Sequence, residues 1–553
     1  MNDLLVIGSG GTGLSAALEA VSNGAKVTVV TKNLPAHAQT CMAQGGINAS
    51  LGNMEPDSVE EHISDTLRAA HGLADENRVR KLCESAADTV GWLDKMLVPF
   101  SRNGKRESSL ASIAQRRLGG AGKPRACYAQ DYTGLKILQS LYDRCLEAGV
   151  TFVTEHYLLD LAVDCTTAKQ NHHNPTMEHS STPRVMGGVF WDIREGRVTA
   201  ISGRATLVAT GGYGDLFHGH TTNAHGATGD GIAAAFRAGA TLSDLEFIQF
   251  HPTALVDSSI LISESARGAG SHLILETGER FTDELAPRDE VARAIFQKIR
   301  EGHKVFLDMR HLGEQTLKEL MPQEIRLIRL HANIDPLKTP VPIMPAAHYT
   351  MGGIEVDERF GIAGLTGAYA AGECSNAHIH GGNRLGGNSL LEIVAFGRQA
   401  AKMALDEKSS AKEGSDILAE SVRLNRNRID TLFKRSNEIN FYHKRKIMGK
   451  RLFHDLGIVR NATMMNEISE YLDKLFGNLS RIGLGDQERK HNRQLIEYLE
   501  FDNALLLASA ATRSALNRKE SRGAHWRSDY PVADPTWERH SYCRLIEGVI
   551  KCW

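Results

Sequence analysis

The N-terminal segment holds the pattern that most constrains the fold of this chain. A short apolar run at residues 4–7 is followed by Gly8, Gly10 and Gly13, and then by small and apolar residues at 14–20. This order of strand, glycine turn and helix is typical of Rossmann-like domains, in which the glycines permit a tight turn and the helix N-terminus faces a pyrophosphate. The chain is therefore predicted to begin with a dinucleotide-binding site.

The end of the next predicted strand narrows the choice of dinucleotide. The strand at residues 26–30 runs into Thr31 and Lys32, where an NAD-binding fold usually places an acid that binds the ribose. A lysine at this position argues against NAD and leaves FAD open. Further pieces of the same site are predicted where a strand at 205–210 enters a glycine turn, and where Glu373 follows the strand at 364–372.

A second glycine-rich segment, residues 380–391, indicates an anionic ligand. Four of its glycines lie around Arg384. Glycines let the backbone approach a flat ligand closely, and an arginine held in such a turn suits bidentate binding of a carboxylate. The segment therefore predicts a carboxylate site beside the dinucleotide.

Composition excludes several other classes of protein. The 553 residues suffice for two or more domains, and the net charge of −2 offers no general attraction to nucleic acid. No apolar run approaches membrane-spanning length and the start of the chain does not resemble a signal peptide, so we expect a cytoplasmic protein. Its eight cysteines include no Cys-x-x-Cys pair. We therefore expect reduced thiols and no iron–sulfur or zinc ligand set.

The histidines of the sequence do not lead us to predict a metal site. The polar insert at 166–183 contains His172 and His173, and this pair is expected to be solvated in a loop rather than bound to a metal.

The motifs, taken in order, resemble one family over nearly the whole chain: the flavoprotein subunits of succinate dehydrogenase and fumarate reductase, with L-aspartate oxidase as a relative. The matching segments are 8–13, 43–49, 249–253, 264–268, 286–289, 348–353, 380–391 and 514–525. The resemblance implies FAD as the cofactor and a C4 dicarboxylate, fumarate or succinate, as the substrate.

The fold class predicted from the patterns and the resemblance is α/β: a Rossmann-like FAD-binding domain with an inserted α+β capping domain and a C-terminal helical domain. Helical periodicity with strong charge, as at 467–475, supports the last of these. The predicted boundaries are 1–240 and 349–406 for the FAD-binding domain, 241–348 for the capping domain, 407–525 for the helical domain and 526–553 for a C-terminal tail.

The chemistry requires a clamp at each end of a dicarboxylate, because both carboxylates must leave water beside a flat flavin. Candidates that match substrate-contacting positions of the family are His251, Ser263, His348 and Arg384. The resemblance assigns proton transfer to Arg288, relayed through Glu264 and Arg267. A strongly cationic, dry site is the physical means of lowering the proton affinity of that arginine.

The FAD is expected to be held by the segments named above together with the Ala-Gln-Gly-Gly motif. The predicted cofactor-binding residues are Gly8, Gly10, Gly11, Gly13, Thr31, Lys32, Thr40, Ala43, Gln44, Gly45, Gly46, Ala209, Thr210, Gly211, Asp230, Glu373, Asn388, Ser389 and Leu390.

Two positions depart from the family pattern. Many members carry a histidine ahead of the Ala-Gln-Gly-Gly motif that bonds covalently to the flavin, whereas Gln39 stands there in this chain and His37 lies two residues earlier. Glutamine cannot form that bond, so we expect non-covalent FAD and a bias towards fumarate reduction. Ser263 replaces the usual threonine and keeps the hydroxyl.

Four functions remain open at this point. The first is a fumarate reductase or succinate dehydrogenase flavoprotein that exchanges electrons with an iron–sulfur subunit, and through it with a membrane anchor or another electron-donor subunit at the inner face of the membrane. The second is L-aspartate oxidase, against which the segment 115–134 favours the reductase pattern. The others are adenylylsulfate reductase and a non-catalytic flavin scaffold that relays electrons.

Overall fold

The computed structural model describes residues 2–104, 110–164, 182–407 and 414–553. The predicted solvated histidines, His172 and His173, lie outside these residues. The strands are β1 Asn2–Ile7, β2 Val27–Val30, β3 Ile47–Asn48, β4 Gln115–Arg116, β5 Ala126–Cys127, β6 Thr151–Val153, β7 His156–Asp164, β8 Arg184–Asp192, β9 Arg197–Val208, β10 Leu242–Ser243, β11 Ile248–Leu255, β12 His272–Leu275, β13 Val305–Asp308, β14 Val341–Thr350, β15 Gly353–Glu355, β16 Ala368–Ala370, β17 Ser375–Asn376, β18 Tyr542–Ile546 and β19 Val549–Cys552.

The helices are also numbered in chain order. They are α1 Gly11–Ser22, α2 Val59–Ala69, α3 Glu76–Glu84, α4 Ala86–Lys95, α5 Thr133–Glu147, α6 Asp230–Arg237, α7 Glu264–Gly268, α8 Arg288–Arg300, α9 Glu314–Leu320, α10 Pro322–Ala332, α11 Asn388–Leu405, α12 Ser415–Lys434, α13 Phe441–Asp455, α14 Ala462–Gly477 and α15 Arg493–Asn517. Among the described helices, none combines the length and the hydropathy needed to cross a lipid bilayer.

A seven-stranded sheet forms the centre of the molecule. Its order is β6-β2-β1-β9-β8-β7, with β16 also paired to β9. The strands β6, β2, β1, β9 and β16 run parallel, so their carboxyl ends meet at one edge, and the first glycine turn leaves β1 there. Because β1 is buried on both faces, it reads as a continuous apolar run rather than an alternating one.

The chain between α6 and the end of β14 forms a second, smaller layer. Strands β11, β14, β13 and β12 form a four-stranded antiparallel sheet that packs with α8. A separate apolar cluster fills this layer, with all of its buried members between Leu255 and Ile343. Strands β11 and β14 pair from Ile248 and Thr350 to Leu255 and Ile343, and their residues Ile248, Phe250 and Ala347 belong to the main apolar core. The predicted domain boundaries stay predictions.

The C-terminal part is helical and ends in a hairpin. Helices α13, α14 and α15 pack on one another, and α15 is buried around most of its circumference. The expectation that every cysteine is a reduced thiol is wrong for Cys543 and Cys552, which form a disulfide. The two residues lie opposite each other in the β18–β19 hairpin, with Cα atoms 4.2 Å apart. Their spacing along the chain resembles no disulfide or redox motif, and only the register of the hairpin brings them together.

Candidate active site

One continuous cleft runs from the first glycine turn to the arginines of the smaller layer. At one end it is lined by Gly8, Thr31 and Lys32, and at the other by Arg288 and Arg384. The cleft lies where the parallel strands end, the place where open α/β sheets bind ligands.

The glycine turn after β1 is shaped by close packing. Gly8 adopts φ +114°, and a Cβ at that position meets the carbonyl oxygen of Ala209 at 2.2 Å. A Cβ at Gly13 meets the carbonyl oxygen of Gly8 at 2.0 Å. Gly13 is therefore a packing residue between β1 and α1 and does not line the cleft, whereas Gly8, Gly10 and Gly11 do.

Two helix N-termini border the cleft. Helix α1 begins after Gly10 and α11 begins after Gly387; neither N-cap residue has a capping side chain, and in α1 Thr40 Oγ1 accepts from the N–H of Gly11 at 3.0 Å. Uncapped amides at helix N-termini favour anionic groups of a ligand. Ser389 and Leu390 of α11 line the cleft. Asn388 faces away and bonds to Asn48, His62 and Thr66.

Lys32 occupies the position at which an NAD-binding fold carries an acid, and its positive charge is neutralised by neighbouring carboxylates. Lys32 Nζ donates to Asp230 at 2.6 Å and to Glu500 at 2.9 Å, and Thr31 Oγ1 accepts from Ser9 at 2.9 Å. Lys32 and Asp230 both line the cleft but form an ion pair, so neither presents a free charge to a ligand. This partnership was not predictable from the sequence, because Lys32 and Glu500 are 468 residues apart.

The middle of the cleft suits a flat ring system. Glu373 accepts from the backbone of Thr350 at 3.0 Å, and burial raises the pKa of its carboxyl to about 7. Small residues, which include Gly45, Gly46 and Thr210, form part of the cleft wall. The two helix N-termini, the small residues along the wall and the pairing of Lys32 with Asp230 together fit FAD.

The far end of the cleft contains a buried triad of two arginines and one glutamate. Glu264 Oε2 accepts from Arg288 Nη2 at 2.7 Å, and Glu264 Oε1 accepts from Arg267 Nη2 at 2.9 Å. Burial alone raises the pKa of Glu264, but the two guanidinium groups outweigh it and lower that pKa to about 2. Glu264 is therefore ionised at neutral pH. Arg267 lies behind Glu264 and does not line the cleft.

Gln249 connects the arginines, and sequence reasoning gave it no individual role. Its Oε1 accepts from Arg288 Nη1 at 2.9 Å and from Arg384 Nη2 at 3.1 Å. Its Nε2 donates to Asn383 Oδ1 and to the backbone oxygen of Arg384, each at 2.8 Å. The motif 249–253 was a signal for this residue, but only the fold shows that it bridges two side chains from distant segments.

Arg384 lies over an aromatic ring at the same far end of the cleft. Its Cζ is 4.2 Å from the centroid of the Tyr349 ring, and Nη1 donates to Ser389 Oγ at 3.0 Å. Burial, together with the positive charge of Arg288, lowers the pKa of Arg384 to about 10. The group stays cationic at neutral pH, and Tyr349 is a second residue that sequence reasoning missed.

Two histidines from paired strands face each other beside these arginines. His251 on β11 and His348 on β14 have ring centroids 4.9 Å apart. Burial lowers the pKa of both imidazoles well below the usual range, and neighbouring cations act in the same direction. His251 Nδ1 lies 3.2 Å from both the backbone nitrogen and the backbone oxygen of Thr253, so Thr253 holds this side of the ring and Nε2 is left for a ligand. His348 Nδ1 lies 2.7 Å from Thr222 Oγ1.

Ser263 caps helix α7 at the same end of the cleft. Its Oγ accepts from the N–H and the hydroxyl of Ser265, so its own hydroxyl proton is left for a ligand. Its backbone N–H donates to Glu324, a buried carboxyl whose pKa burial raises to about 8. Glu324 is therefore protonated at neutral pH and adds no negative charge.

The structure thus brings together most of the predicted site. All four predicted substrate residues, both Arg288 and Glu264, and the cofactor residues other than Gly13 and Asn388 line the cleft. Gln39 also lines it and accepts from the backbone N–H of Ala224 at 2.8 Å, and His37 lies on the same wall.

Two families of known proteins match most of this chain. The FAD binding domain family matches residues 3–390, and the family described as the fumarate reductase flavoprotein C-terminus matches residues 445–548. The chain is an FAD-dependent oxidoreductase.

Individual relatives agree over almost the whole length. The succinate dehydrogenase flavoprotein subunit of Coxiella burnetii is 38% identical, over 98% of this chain and 94% of its own. The 8-methylmenaquinol:fumarate reductase flavoprotein subunit of Wolinella succinogenes is 36% identical, over 96% of this chain and 86% of its own. A structure of quinol fumarate reductase from E. coli superposes with a TM-score of 0.91 at 31% identity, covering 100% of this chain and 96% of that one. The chain belongs to the family of succinate dehydrogenase and fumarate reductase flavoprotein subunits.

Proposed function

We propose that this chain is the catalytic subunit that interconverts fumarate and succinate, and that it works as a fumarate reductase. The observation that carries the proposal is the charge of the buried cleft end. Among the described residues, three guanidinium groups, of Arg267, Arg288 and Arg384, surround the ionised carboxylate of Glu264 at this end of the cleft. Two positive charges therefore remain, which matches the charge of a C4 dicarboxylate.

The polar groups supply a clamp for each carboxylate. Arg384 and His348 offer donors at one side, and His251 and the Ser263 hydroxyl offer donors at the other. Because both imidazoles are neutral, they bind by hydrogen bonding and leave the charge balance to the arginines. Four donors from separate segments hold a flat substrate in one orientation.

FAD, when bound, supplies or accepts the hydride. The second carbon of the double bond then needs a proton, and we assign its delivery to Arg288, which lines the cleft. Glu264 is ionised and holds no proton of its own, so it can only pass to Arg288 a proton that Arg267 supplies through the hydrogen bonds that join the three groups. In succinate oxidation the same groups carry the proton in reverse.

The direction of the proposed reaction rests on Gln39. A covalent flavin bond raises the flavin potential and favours succinate oxidation, and Gln39 cannot form one. We therefore propose non-covalent FAD, and electrons supplied by an iron–sulfur subunit. Through that subunit the chain attaches peripherally at the inner face of the membrane or docks to another electron donor.

L-aspartate oxidase is the competing function within this family. Its substrate carries an ammonium group, which requires an acceptor. Among the described residues at the clamp end of the cleft, the ionised carboxylate is Glu264, and both of its oxygens already accept from arginines. The site therefore favours fumarate over L-aspartate.

Dye-linked assays of the purified, FAD-loaded chain test the proposal. We expect fumarate to oxidise a reduced dye, succinate to reduce an oxidised dye more slowly, and L-aspartate to give no turnover. Turnover with L-aspartate and none with fumarate or succinate would contradict the assignment. A faster rate with succinate than with fumarate at matched driving force would reverse the proposed direction.

A further inference from the structure

Two buried carboxyls link the part of the chain around the FAD cleft to the smaller layer, and the proposed function gives them no role. Asp131 lies between β5 and α5, and Glu324 lies in the first turn of α10. Asp131 Oδ2 accepts from the backbone N–H of Gln323 at 2.7 Å and from that of Glu324 at 3.0 Å. The contact therefore caps α10 from a segment 192 residues earlier in the chain.

Glu324 also supports one side of the substrate clamp. Its Oε1 accepts from the backbone N–H of Ser263 at 2.9 Å, and the side chain of Ser263 lines the cleft. Glu264 of the arginine triad follows directly in the chain. Glu324 itself does not line the cleft. Its carboxyl therefore acts on a bound ligand through Ser263 and through its charge, without touching the ligand.

The two carboxyls are not balanced by a paired cation. Both side chains are 0% exposed. Among the described residues, neither forms an ion pair, and Asp131 Oδ1 and Glu324 Oε2 are buried without a hydrogen-bond partner. Arg116 on β4 acts on both carboxyls from a distance, but its guanidinium donates to three backbone oxygens. Two negative charges in such a dry place are costly, so the pair retains a proton.

The retained proton lies on Glu324. Asp131 accepts two N–H groups at the N-terminus of α10, and these hydrogen bonds and the helix dipole both favour its charged form. Burial raises the pKa of both carboxyls. For Glu324, burial and the neighbouring charge of Asp131 together raise the pKa to about 8. Glu324 is therefore a neutral acid at neutral pH and a carboxylate in moderately alkaline solution.

We propose that Glu324 is a positioning residue that sets the pH above which dicarboxylate binding weakens. As a neutral acid it holds the Ser263 N–H and adds no charge behind the clamp. As a carboxylate it places a negative charge directly behind a residue that binds the dianion, and it repels Asp131 across the contact that fixes α10. This role rests on the proposed dicarboxylate substrate.

Other groups near the clamp do not account for the same effect. Both cleft imidazoles have pKa values well below the usual range, so they stay neutral. Burial lowers the pKa values of Arg116 and Arg384 to about 10 and raises that of Tyr132 above its ordinary value. Glu373 has a pKa of about 7, but it lies in the middle of the cleft. Its titration is therefore common to the wild type and to variants of Glu324.

The test measures fumarate binding to the oxidised, FAD-loaded full chain between about pH 6.5 and about pH 9.5. Oxidised flavin cannot reduce fumarate, so flavin difference spectra give an equilibrium Kd. Glu324→Gln keeps the acceptor for Ser263 and stays neutral at every pH. We expect the wild type and Glu324→Gln to have equal Kd values near neutral pH. At the alkaline end the wild type should bind at least about tenfold more weakly than the variant, because the new charge is only partly screened.

Two further variants complete the design. Asp131→Asn keeps a capping side chain for α10 but removes the charge that favours the proton on Glu324. In this variant we expect fumarate binding to weaken at a lower pH than in the wild type. Glu319→Gln, on the exposed face of the neighbouring helix α9, is the control and should follow the wild type at every pH.

An infrared measurement tests the proton without any substrate. The carbonyl stretch of a protonated carboxyl should decrease in the wild type as the pH is raised from neutral to alkaline. The part of this decrease that belongs to Glu324 should be missing in Glu324→Gln, and the difference between the two proteins removes the contribution of Glu373.

The possible results separate this role of Glu324 from the proposed function. Equal Kd values in the wild type and Glu324→Gln at every pH would overturn the role of Glu324 while leaving the dicarboxylate substrate in place. No fumarate binding by the wild type at any pH would contradict the proposed function and this role with it. FAD content and circular dichroism report folding. If Glu324→Gln does not fold, an unchanged pH dependence in Asp131→Asn counts against the proposal.

Discussion

Gln249 holds the two cleft arginines at a fixed separation, because one oxygen accepts from both Arg288 and Arg384. A glutamate at this position adds a negative charge of nearly the same shape, so the positive surplus of the site falls by one. We expect Gln249→Glu to retain FAD and to raise the KM for fumarate at least about tenfold. Steady-state kinetics measure this, with Gln139→Glu on the exposed face of α5 as control. An unchanged KM in Gln249→Glu would show that the charge balance does not govern binding.

Because Gln39 cannot bond covalently to the flavin, we predict that FAD is bound non-covalently, which can be tested without kinetics. Its amide side chain lines the cleft at the position where many family members carry the flavin-bonded histidine. Acid precipitation of the protein should release all FAD into the supernatant. Flavin fluorescence that stays with the denatured chain on a gel would contradict the prediction and direct attention to His37 on the same wall.

The turn between β1 and α1 has no room for a Cβ atom at Gly8. A Cβ at Gly8 meets the Ala209 oxygen at 2.2 Å and forces the turn away from the strand beside it. We expect Gly8→Ala to fold with little or no bound FAD, measured as the ratio of flavin to protein absorbance. Gly24→Ala is the control, since Gly24 has φ +78° but nothing within 4 Å of a Cβ. Full FAD occupancy in Gly8→Ala would show that the turn adapts.

Sequence patterns identified the elements whose structure is determined by residues close to one another in the chain. The strand, glycine turn and α1 follow one another directly, and their identity is fixed by residues within a few positions. The Cys543–Cys552 disulfide was missed because it depends on the register of a terminal hairpin. The pairing of Lys32 with Glu500 was missed because α15 returns to the cleft from the far end of the chain.

The same distinction applies to the candidate site. Arg288, Arg384 and the two cleft histidines each lie in a recognisable motif, so they could be named before the fold was known. Their connection through Gln249 could not, because it depends on how β11, α8 and the Arg384 loop meet in space.

The whole molecule carries several buried neutral histidines, and these lower its stability in acid. Burial, with Arg125 nearby, lowers the pKa of His62 to about 4, and burial holds the pKa values of His251, His348 and His525 well below the usual range. The unfolded chain takes up protons at these residues near pH 6.5, whereas the folded chain does not. Each histidine therefore removes about 1.4 kcal/mol of stability per pH unit below 6.5 until its folded pKa is reached.

We accordingly expect the Tm to fall steadily as the pH is lowered from neutral to mildly acidic. Glu324 and Glu373 act in the opposite direction because burial raises their pKa values, and so does His540, whose pKa is also raised, but these are three groups against four. Differential scanning calorimetry of the FAD-loaded chain over this range measures the effect. A constant or rising Tm would contradict the assignment of these histidines as neutral.

The central claim is that Arg288 delivers the proton in a site that binds a dicarboxylate, and one comparison tests it directly. Arg288→Gln removes the proton donor but leaves Arg384, both cleft histidines and the cofactor turn in place. The account predicts full FAD content, retained fumarate binding by flavin difference spectra, and a kcat for fumarate reduced by about 10²–10⁴-fold. Arg300→Gln, at the exposed end of the same helix α8, should behave as the wild type does. Near wild-type turnover of fumarate and succinate by Arg288→Gln would contradict the account and require a different proton donor.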